Sequence, residues 1–550
     1  MAQKYAIPAG MTKPSKVTTL TPQSKPIAGR EAEMIVNPAG AYSFEADSWA
    51  RLNRFLTLGV SGNSIYQSKA SLVTENADLI TSLLNEDGVR VVEAVVDVLG
   101  NNRALRVDAG FYTLAMAASS KKPEVAARAL AALSSVVRTP THLFMFIGYV
   151  NSMRGWGRAL RRAVASYYLD TAVPKLAMHA WKYKNREGWS HRDALRLSHA
   201  TATDPARNAV LRYMAQGKLP TDFNEDRALA QIVAADTLSK TKDVREAVKL
   251  ITDHRLTREA VPTELLNEPK VWDALLQDMP LTAMIRNLGK LAAIGMTGSL
   301  SDAEKLIVAK LSDQANVEGS RIHPMQILIA LKQYSMGRGN RGSLTWNPNG
   351  SILDALDSAF YMAFGNVETT GKRLLLAVDD SGSMRGYRTV MDGIMTPHEA
   401  SAAMVLVNYM VEPNSVIVSY SDKYREITMS RKGTVMDLSR KIGSIGAGTD
   451  TALPVQYALD TKKDFDAIVS YTDNNTWAGG YSYYGSRTGH VTEVLRNYQN
   501  KVGHPVRFIN ASMEANRVTD VDPKNPNMFE VSGMDSSTPQ VISEFIAGRI

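Results

Sequence analysis

Asp379, Ser381 and Ser383 stand at the carboxyl end of an apolar run, Leu374-Leu375-Leu376-Ala377-Val378. Such a run reads as a strand of a parallel sheet buried on both faces. Ligands bind outside the carboxyl ends of these strands. The D-x-S-x-S spacing delivers one carboxylate and two hydroxyls from a single short loop to one point. Hard oxygen donors of this kind suit a divalent cation such as Mg²⁺, which takes few protein ligands and keeps several waters. Two later loops add to the set. Thr449 lies in Gly446-Ala447-Gly448-Thr449-Asp450, ahead of a helical stretch, and Asp473 follows the apolar run 466–472. Ser and Asp also cap turns at strand-to-helix junctions, but three such loops in order, facing one sheet edge, exceed what capping requires.

A second chemistry is cationic. Residues 151–200 carry ten basic side chains, Arg154, Arg158, Arg161, Arg162, Lys175, Lys182, Lys184, Arg186, Arg192 and Arg196, against three acidic ones. Trp156, Tyr167, Tyr168, Trp181, Tyr183 and Trp189 are interleaved with them. A basic zone is the electrostatic footprint of a nucleic-acid partner, and cationic grooves with stacking platforms hold single-stranded RNA. The competing account is a solvated helix face with aromatics packed between helices. Lys182, Arg186, His191 and Arg192 surround the Gly188-Trp189-Ser190 turn. Ser190 is placed to N-cap a helix starting near His191, whose dipole would add to an anion site. For His191 the alternative is a satisfied local hydrogen bond.

The elements that must position these groups divide the chain of 550 residues into more than one domain. Residues 1–45 are rich in Pro, Gly, Thr and Lys, with five basic and no acidic residues among the first 30, and read as an extended or disordered basic arm. Residues 46–366 have helical period almost throughout. Ala126, Leu130, Leu133 and Val136 share one face, as do Leu306, Ile307 and Leu311. Helices of 10–17 residues with short connections predict stacked pairs, an α-solenoid of degenerate repeats. From 371 to 550 the pattern alternates. Strands are predicted at 373–379, 415–420, 466–472 and 506–509, and helices at 397–411, 435–442, 452–460, 491–502 and 539–548. That alternation means a doubly wound α/β domain.

Composition and motifs exclude several classes. The apolar fraction of 44% and charged fraction of 21% are those of a globular protein. The absence of cysteine removes disulfides and thiolate zinc sites and fits a reducing, cytoplasmic compartment. No apolar run is long enough to span a membrane. The stretch Gly337-Arg338-Gly339-Asn340-Arg341-Gly342 matches G-x-G-x-x-G but follows a helical segment, so the dinucleotide reading fails. Gly371-Lys372-Arg373 lacks the rest of a phosphate-binding loop, and no G-x-S-x-G elbow occurs. A catalytic role is therefore not expected.

The loops at Asp379, Thr449 and Asp473 resemble the metal-ion-dependent adhesion site (MIDAS) of a von Willebrand factor A domain. Together with the basic helical part, the chain resembles the Ro RNA-binding proteins, whose helical part is the TROVE module. The stretches that carry the resemblance include Gly155-Trp156-Gly157-Arg158, Lys182-Tyr183-Lys184 through Gly188-Trp189-Ser190-His191, Met279-Pro280-Leu281-Thr282, Ile322-His323-Pro324 and Tyr471-Thr472-Asp473-Asn474. The resemblance implies a monomeric ring of HEAT-like helical pairs closed by the A domain. It implies a ribonucleoprotein scaffold that binds small noncoding Y-type RNA on an outer basic surface. The ring would receive single-stranded ends of misfolded or structured RNA, assisting quality control, maturation or decay with an exoribonuclease. On that basis Lys182, Arg186, His191 and Arg192 fall in the Y RNA-contacting segment, and the basic zone adds Arg154, Arg158, Arg161, Arg162, Lys184 and Arg196 as expected RNA contacts. The metal ligands are Asp379, Ser381, Ser383, Thr449 and Asp473. Asp380 and Ala447 depart from the usual pattern, and Asp380 adds charge beside the site. The Lys-rich arm is closer to bacterial versions. The rival reading is a cation-dependent protein-binding adaptor acting through the A domain.

Overall fold

The computed structural model describes residues 19–37, 40–45, 48–58, 69–101, 104, 107–221, 226–339, 343–385, 389–391, 393–443, 448–473, 488–513, 518–532 and 538–548. Residues 1–18 of the arm, 340–342 of the glycine-rich loop, Gly446, Ala447 and Asn474 lie outside the described residues. The strands, in chain order, are β1 (Met34–Val36), β2 (Tyr42–Glu45), β3 (Asn185–Arg186), β4 (Trp189–Ser190), β5 (Leu374–Asp379), β6 (Ser415–Tyr420), β7 (Tyr424–Ile427), β8 (Ala467–Thr472), β9 (Arg507–Ser512), β10 (Val518–Thr519) and β11 (Met528–Ser532). Two compact units emerge, one from residues 1–73, 317–333 and 356–550, the other from 74–316 and 334–355.

In the first unit, burial on both faces places β5 inside a six-stranded sheet of order β11-β9-β8-β5-β6-β7. Every residue of β5 and β8 is buried. All pairings are parallel except β6 with β7. The chain leaves β5 for β6 on one side and returns to β8 on the other, so the strand order reverses at β5. That is the switch point at which α/β sheets bind ligands. Helices Pro397–Val411 and Val435–Ile442 begin at capping boxes built by Thr396 with Glu399 and Thr434 with Asp437. Polar groups inside the sheet are paired: the Asn408 amide donates to the Tyr471 hydroxyl at 2.6 Å, and Tyr420 and Ser470 share a hydrogen bond of 2.6 Å. Where β5 and β8 begin, Arg373 clamps Asp466 in bidentate fashion, at 3.0 and 2.7 Å.

The division of the chain differs from the one expected at 366–371. Residues 317–333 and 356–366 belong with the α/β unit, and so does the described part of the arm. The described arm residues, 19–37 and 40–45, are ordered. β1 and β2 pair with each other and β2 with β10, all antiparallel. A few apolar anchors, Met34, Ala41 and Phe44, are buried, and the remaining hold is polar, which is why composition alone suggests disorder. Thr21 N–H donates to Glu493 at 2.8 Å, Gln23 Nε2 to Asp450 Oδ1 at 2.9 Å, and Ser43 Oγ to Asp520 at 3.2 Å. Arg30 lies over the Phe44 ring at 4.4 Å and pairs with both Asp522 and Glu33.

The second unit is helical. Prolines open helices Pro123–Val136, Pro140–Met153, Pro205–Gln216 and Pro269–Gln277, where a missing N–H costs nothing. Leu130, Leu133, Val136, Ile307 and Leu311 are buried as their spacing predicts, whereas Ala126 and Leu306 are half-buried. Helices pack both with the next element, as Asp108–Ala118 does with Pro123–Val136, and with the next but one: Asp108–Ala118 with Pro140–Met153, Pro123–Val136 with Arg158–Asp170, and Val173–Lys182 with Pro205–Gln216. This is the pattern of stacked layers. The glycine-rich loop proves to be a helix stop. Gly337 has φ +67, and a Cβ there would lie 2.9 Å from the Trp346 carbonyl. The returning chain seats Trp346 against Gly289 and against the Tyr334 ring.

Buried histidines knit the layers that carry the basic zone. His191 Nε2–H donates to the His179 carbonyl at 3.2 Å, which leaves Nδ1 to accept from the Tyr168 hydroxyl at 3.1 Å. Tyr167 and His179 are bonded in turn at 2.8 Å. His191 is only 3% exposed and packs edge-on to Phe144. The assignment of His191 as an RNA contact is corrected accordingly: it is a core residue with both ring nitrogens used. Burial, aided for His179 by Lys175 and Lys182, pushes both imidazoles down to about 4.

Two outcomes follow from this packing. Arg30→Ala strips a partner from Asp522, which is 6% exposed, and is expected to cost about 2–3 kcal/mol locally, read as faster amide exchange in β1 and β2. The unfolded chain protonates histidine near pH 6.5, whereas His179 and His191 stay neutral in the fold down to about pH 4. Across that window the unfolded state binds more protons, so the helical unit should lose stability as pH falls, by on the order of 3 kcal/mol per histidine at most. A melting temperature flat from pH 7 to 4.5 would contradict it.

Candidate functional site

The cation loop is assembled where β5 and β8 end side by side. Asp379 is fully buried. Its Oδ1 accepts the Ser381 backbone N–H at 2.9 Å and its Oδ2 accepts the Thr472 hydroxyl at 2.7 Å. Ser381 Oγ and Ser383 Oγ are 3.1 Å apart. Ser381 is buried with Asp379, whereas Ser383 is exposed. Asp473, 1% exposed, follows β8 directly. Burial first, then the neighbouring Asp473 charge, pushes the Asp379 carboxyl up to about 7. Thr449 is brought to the same edge because Asp450 N–H donates to the carbonyl of Ser421, just past β6, at 2.7 Å. Asp450 Oδ1 also accepts from Ala452 N–H at 3.1 Å, where the chain enters helix Leu453–Thr461. Asp450 and Thr472 are thus positioning residues that motif spacing does not single out. The only signal was their adjacency to Thr449 and Asp473.

This donor set fits a hard divalent cation. Two buried carboxylates that repel one another, three hydroxyls and an exposed rim suit an ion that keeps some of its water. Among the described residues no group of three or more His, Cys, Asp or Glu side chains is placed to hold a metal, so an ion at this edge relies on hydroxyls beside its two carboxylates, which are oxygen donors throughout. Asp380 points away from this role. Its carboxylate is buried, faces Ser419 and Ser421 without hydrogen-bond geometry, and is raised by burial. The guanidiniums of Arg385 and Arg425 offset part of its charge.

The basic zone divides into committed and available cations. Arg154 is half-buried and donates to the Ala118 carbonyl, capping helix Asp108–Ala118. Arg161 donates to the Trp156 carbonyl at 3.2 Å. Lys182 lies 3.9 Å from Glu259 and 5.9 Å from the Tyr183 ring, which Arg186 also approaches at 5.9 Å. Arg158, Arg162, Lys184, Arg192 and Arg196 are exposed and form no ion pair among the described residues. They lie on helix Arg158–Asp170, on helix His191–Ser198 packed against it, and, for Lys184, directly ahead of the β3–β4 hairpin between. Of the aromatics, Tyr167, Tyr168 and Trp181 are core, and Trp156, Tyr183 and Trp189 are half-buried at the surface.

Ser190 does cap helix His191–Ser198, but in a capping box with Asp193. The expected anion site at that helix start is therefore corrected. Asp193 Oδ2 already accepts from the Ser190 backbone N–H and hydroxyl, at 3.1 and 2.5 Å, and fills the place with the protein's own charge.

Comparison with known proteins gives a consistent result over nearly the whole chain. Residues 35–333 match the TROVE domain family and residues 373–546 the Ro60 vWA domain. The chain is 35% identical over 536 residues to the RNA-binding protein RO60 of Deinococcus radiodurans, covering 96% of this chain and 99% of that protein. It is 32% identical over 595 residues to the RNA-binding protein RO60 of Caenorhabditis elegans, covering 94% of this chain and 90% of that one. The crystal structure of the Deinococcus radiodurans RO (RSR) protein superposes with a TM-score of 0.74 at 33% identity, covering 92% of this chain and all of the other. A TROVE domain followed by a von Willebrand factor A domain, matched end to end with these relatives, places the chain in the Ro60 family.

Proposed function

We propose that the chain is a non-catalytic RNA-binding scaffold of a Ro ribonucleoprotein. The observation that carries this reading is the set of exposed, unpaired cations on two packed helices and the hairpin between them. Two relatives spanning nearly the whole chain are named RNA-binding proteins. Arg158, Arg162, Lys184, Arg192 and Arg196 neutralise phosphates. Tyr183 and Trp189, half-buried beside them, offer stacking surface. The RNA partners are small Y-like noncoding RNA on this face and single-stranded ends of misfolded or structured RNA, handed to an exoribonuclease in the cytoplasm. No helix among the described residues is long and apolar enough to cross a membrane.

At the cation loop Mg²⁺ is the proposed occupant, held by Asp379, Ser381, Ser383, Thr449 and Asp473. Bound there, it supplies charge that keeps both carboxylates ionised. A second reading rests on the exposure of Ser383 beside the buried Asp379: that open side admits a carboxylate from a protein partner. A pull-down that needs Mg²⁺ and survives ribonuclease would favour it.

Affinity for structured RNA should fall steeply with salt. Replacing Arg158, Arg162, Arg192 and Arg196 by Ala should reduce the slope of log K against log salt by roughly 0.7–0.9 for each phosphate no longer neutralised, measured by gel shift at several ionic strengths. An unchanged slope would remove the assignment. Mg²⁺ at 100 times its dissociation constant should stabilise the α/β unit by about 2.7 kcal/mol. Asp379→Ala should abolish that response while sparing RNA affinity, read by thermal melting with and without chelator.

A further inference from the structure

A cavity of about 350 Å³ opens beside the basic face, within the helical unit. Its lining is chemically divided. Lys184 and Arg192 line it, both exposed and without an ion pair among the described residues. Tyr213 and Met214, both buried, give it largely apolar surface, and Gly217, in the left-handed cap of helix Pro205–Gln216, also lines it. Asp236 is the single carboxylate among the lining residues. Its side chain is 15% exposed, and its only ion pair among the described residues is with Lys240, whose side chain is 70% exposed. Burial and the Asp236 charge push the Tyr213 phenol up to about 12, so it keeps its proton.

No element of the scaffold reading accounts for this acid. The half-buried Asp236 carboxylate offers only acceptors, which suit a group with N–H donors rather than another backbone phosphate. The volume lies at the lower end of the range for small-ligand pockets. The combination of two exposed cations, the buried Tyr213 and Met214 and a half-buried acceptor suits a nucleotide whose phosphate meets the cations.

We propose that the cavity bounded by Lys184, Arg192, Tyr213 and Asp236 receives one unpaired base of the bound RNA and selects guanine. The inference rests on the RNA-binding reading above and adds a site of base choice to it. An ionised carboxylate is acceptor-only, with two oxygens. Guanine presents two adjacent donors, N1–H and the N2 amino group, that match them. Adenine and cytosine each set a ring acceptor beside their amino group, and uracil flanks its one N–H with carbonyls, so each leaves an oxygen facing an acceptor. Lys240, on the solvent side, has room to swing away as the base enters. RNA proteins read sequence chiefly at such unstacked bases.

The test uses the full chain and five RNA hairpins, four with one bulged nucleotide (G, A, C or U) and one without a bulge, in competition binding. The expected result is a preference of about tenfold for the G bulge over the U bulge. Asp236→Asn should erase the preference without weakening binding of the unbulged hairpin. Equal affinity for all four bulges in the wild type overturns the proposal with no reliance on a variant, as does a preference that survives Asp236→Asn. If the wild type binds none of the hairpins, the RNA-binding reading falls and the base site with it. If it binds them all equally, only the base site falls.

Discussion

The hydrogen-bonded pairs of Tyr167 with His179 and Tyr168 with His191 hold three helices together beneath a strongly basic surface. Helices Arg158–Asp170, Val173–Lys182 and His191–Ser198 each contribute to this network, and the outer faces of the first and third carry Arg158, Arg162, Arg192 and Arg196. The imidazoles must be neutral for the arrangement to stand. A buried charge would be costly in itself, and Lys175 and Lys182 nearby raise that cost for His179. Neutral rings instead satisfy the hydroxyls and the carbonyl they face and orient the three helices. The surface tolerates many like charges because the layer below adds none.

The α/β unit solves the opposite problem. Two carboxylates, Asp379 and Asp473, are buried side by side at the switch point of the sheet. Thr472 and the Ser381 N–H stabilise one of them, and the arm's Gln23 braces Asp450 beside Thr449. Hydrogen bonds lower the cost of the negative charge without cancelling it, which is the condition under which a hard cation binds well. The same unit takes in the described arm residues, 19–37 and 40–45, through further acids, Asp450, Asp520, Asp522 and Glu493. The arm meets these acids with the Arg30 guanidinium and with neutral donors on Thr21, Gln23 and Ser43.

Much of this was legible beforehand. Strand 415–420 and helices 397–411, 435–442 and 491–502 were predicted at their observed bounds, because apolar period and capping residues are local signals. The edge strand β7 and the strands β1, β2, β10 and β11 escaped notice. β7 is half exposed and reads Tyr-Arg-Glu-Ile, β1, β2 and β10 are two to four residues long, and β2 gains β10 from a distant segment. The arm's order was invisible for the same reason, since Arg30 and Asp522 are 492 positions apart.

By itself the sequence determined the two architectures, the oxygen-rich loops and the sign of the basic zone, since residue type and short spacing decide all three. Tertiary structure decided which members act. Arg154 caps a helix, His191 is core, Asp193 fills its own helix start, and Asp236 comes to stand beside Lys184 and Arg192. Whether a charged or titratable side chain meets water, a carbonyl or another helix depends on contacts between segments far apart in the chain, and no local pattern encodes them.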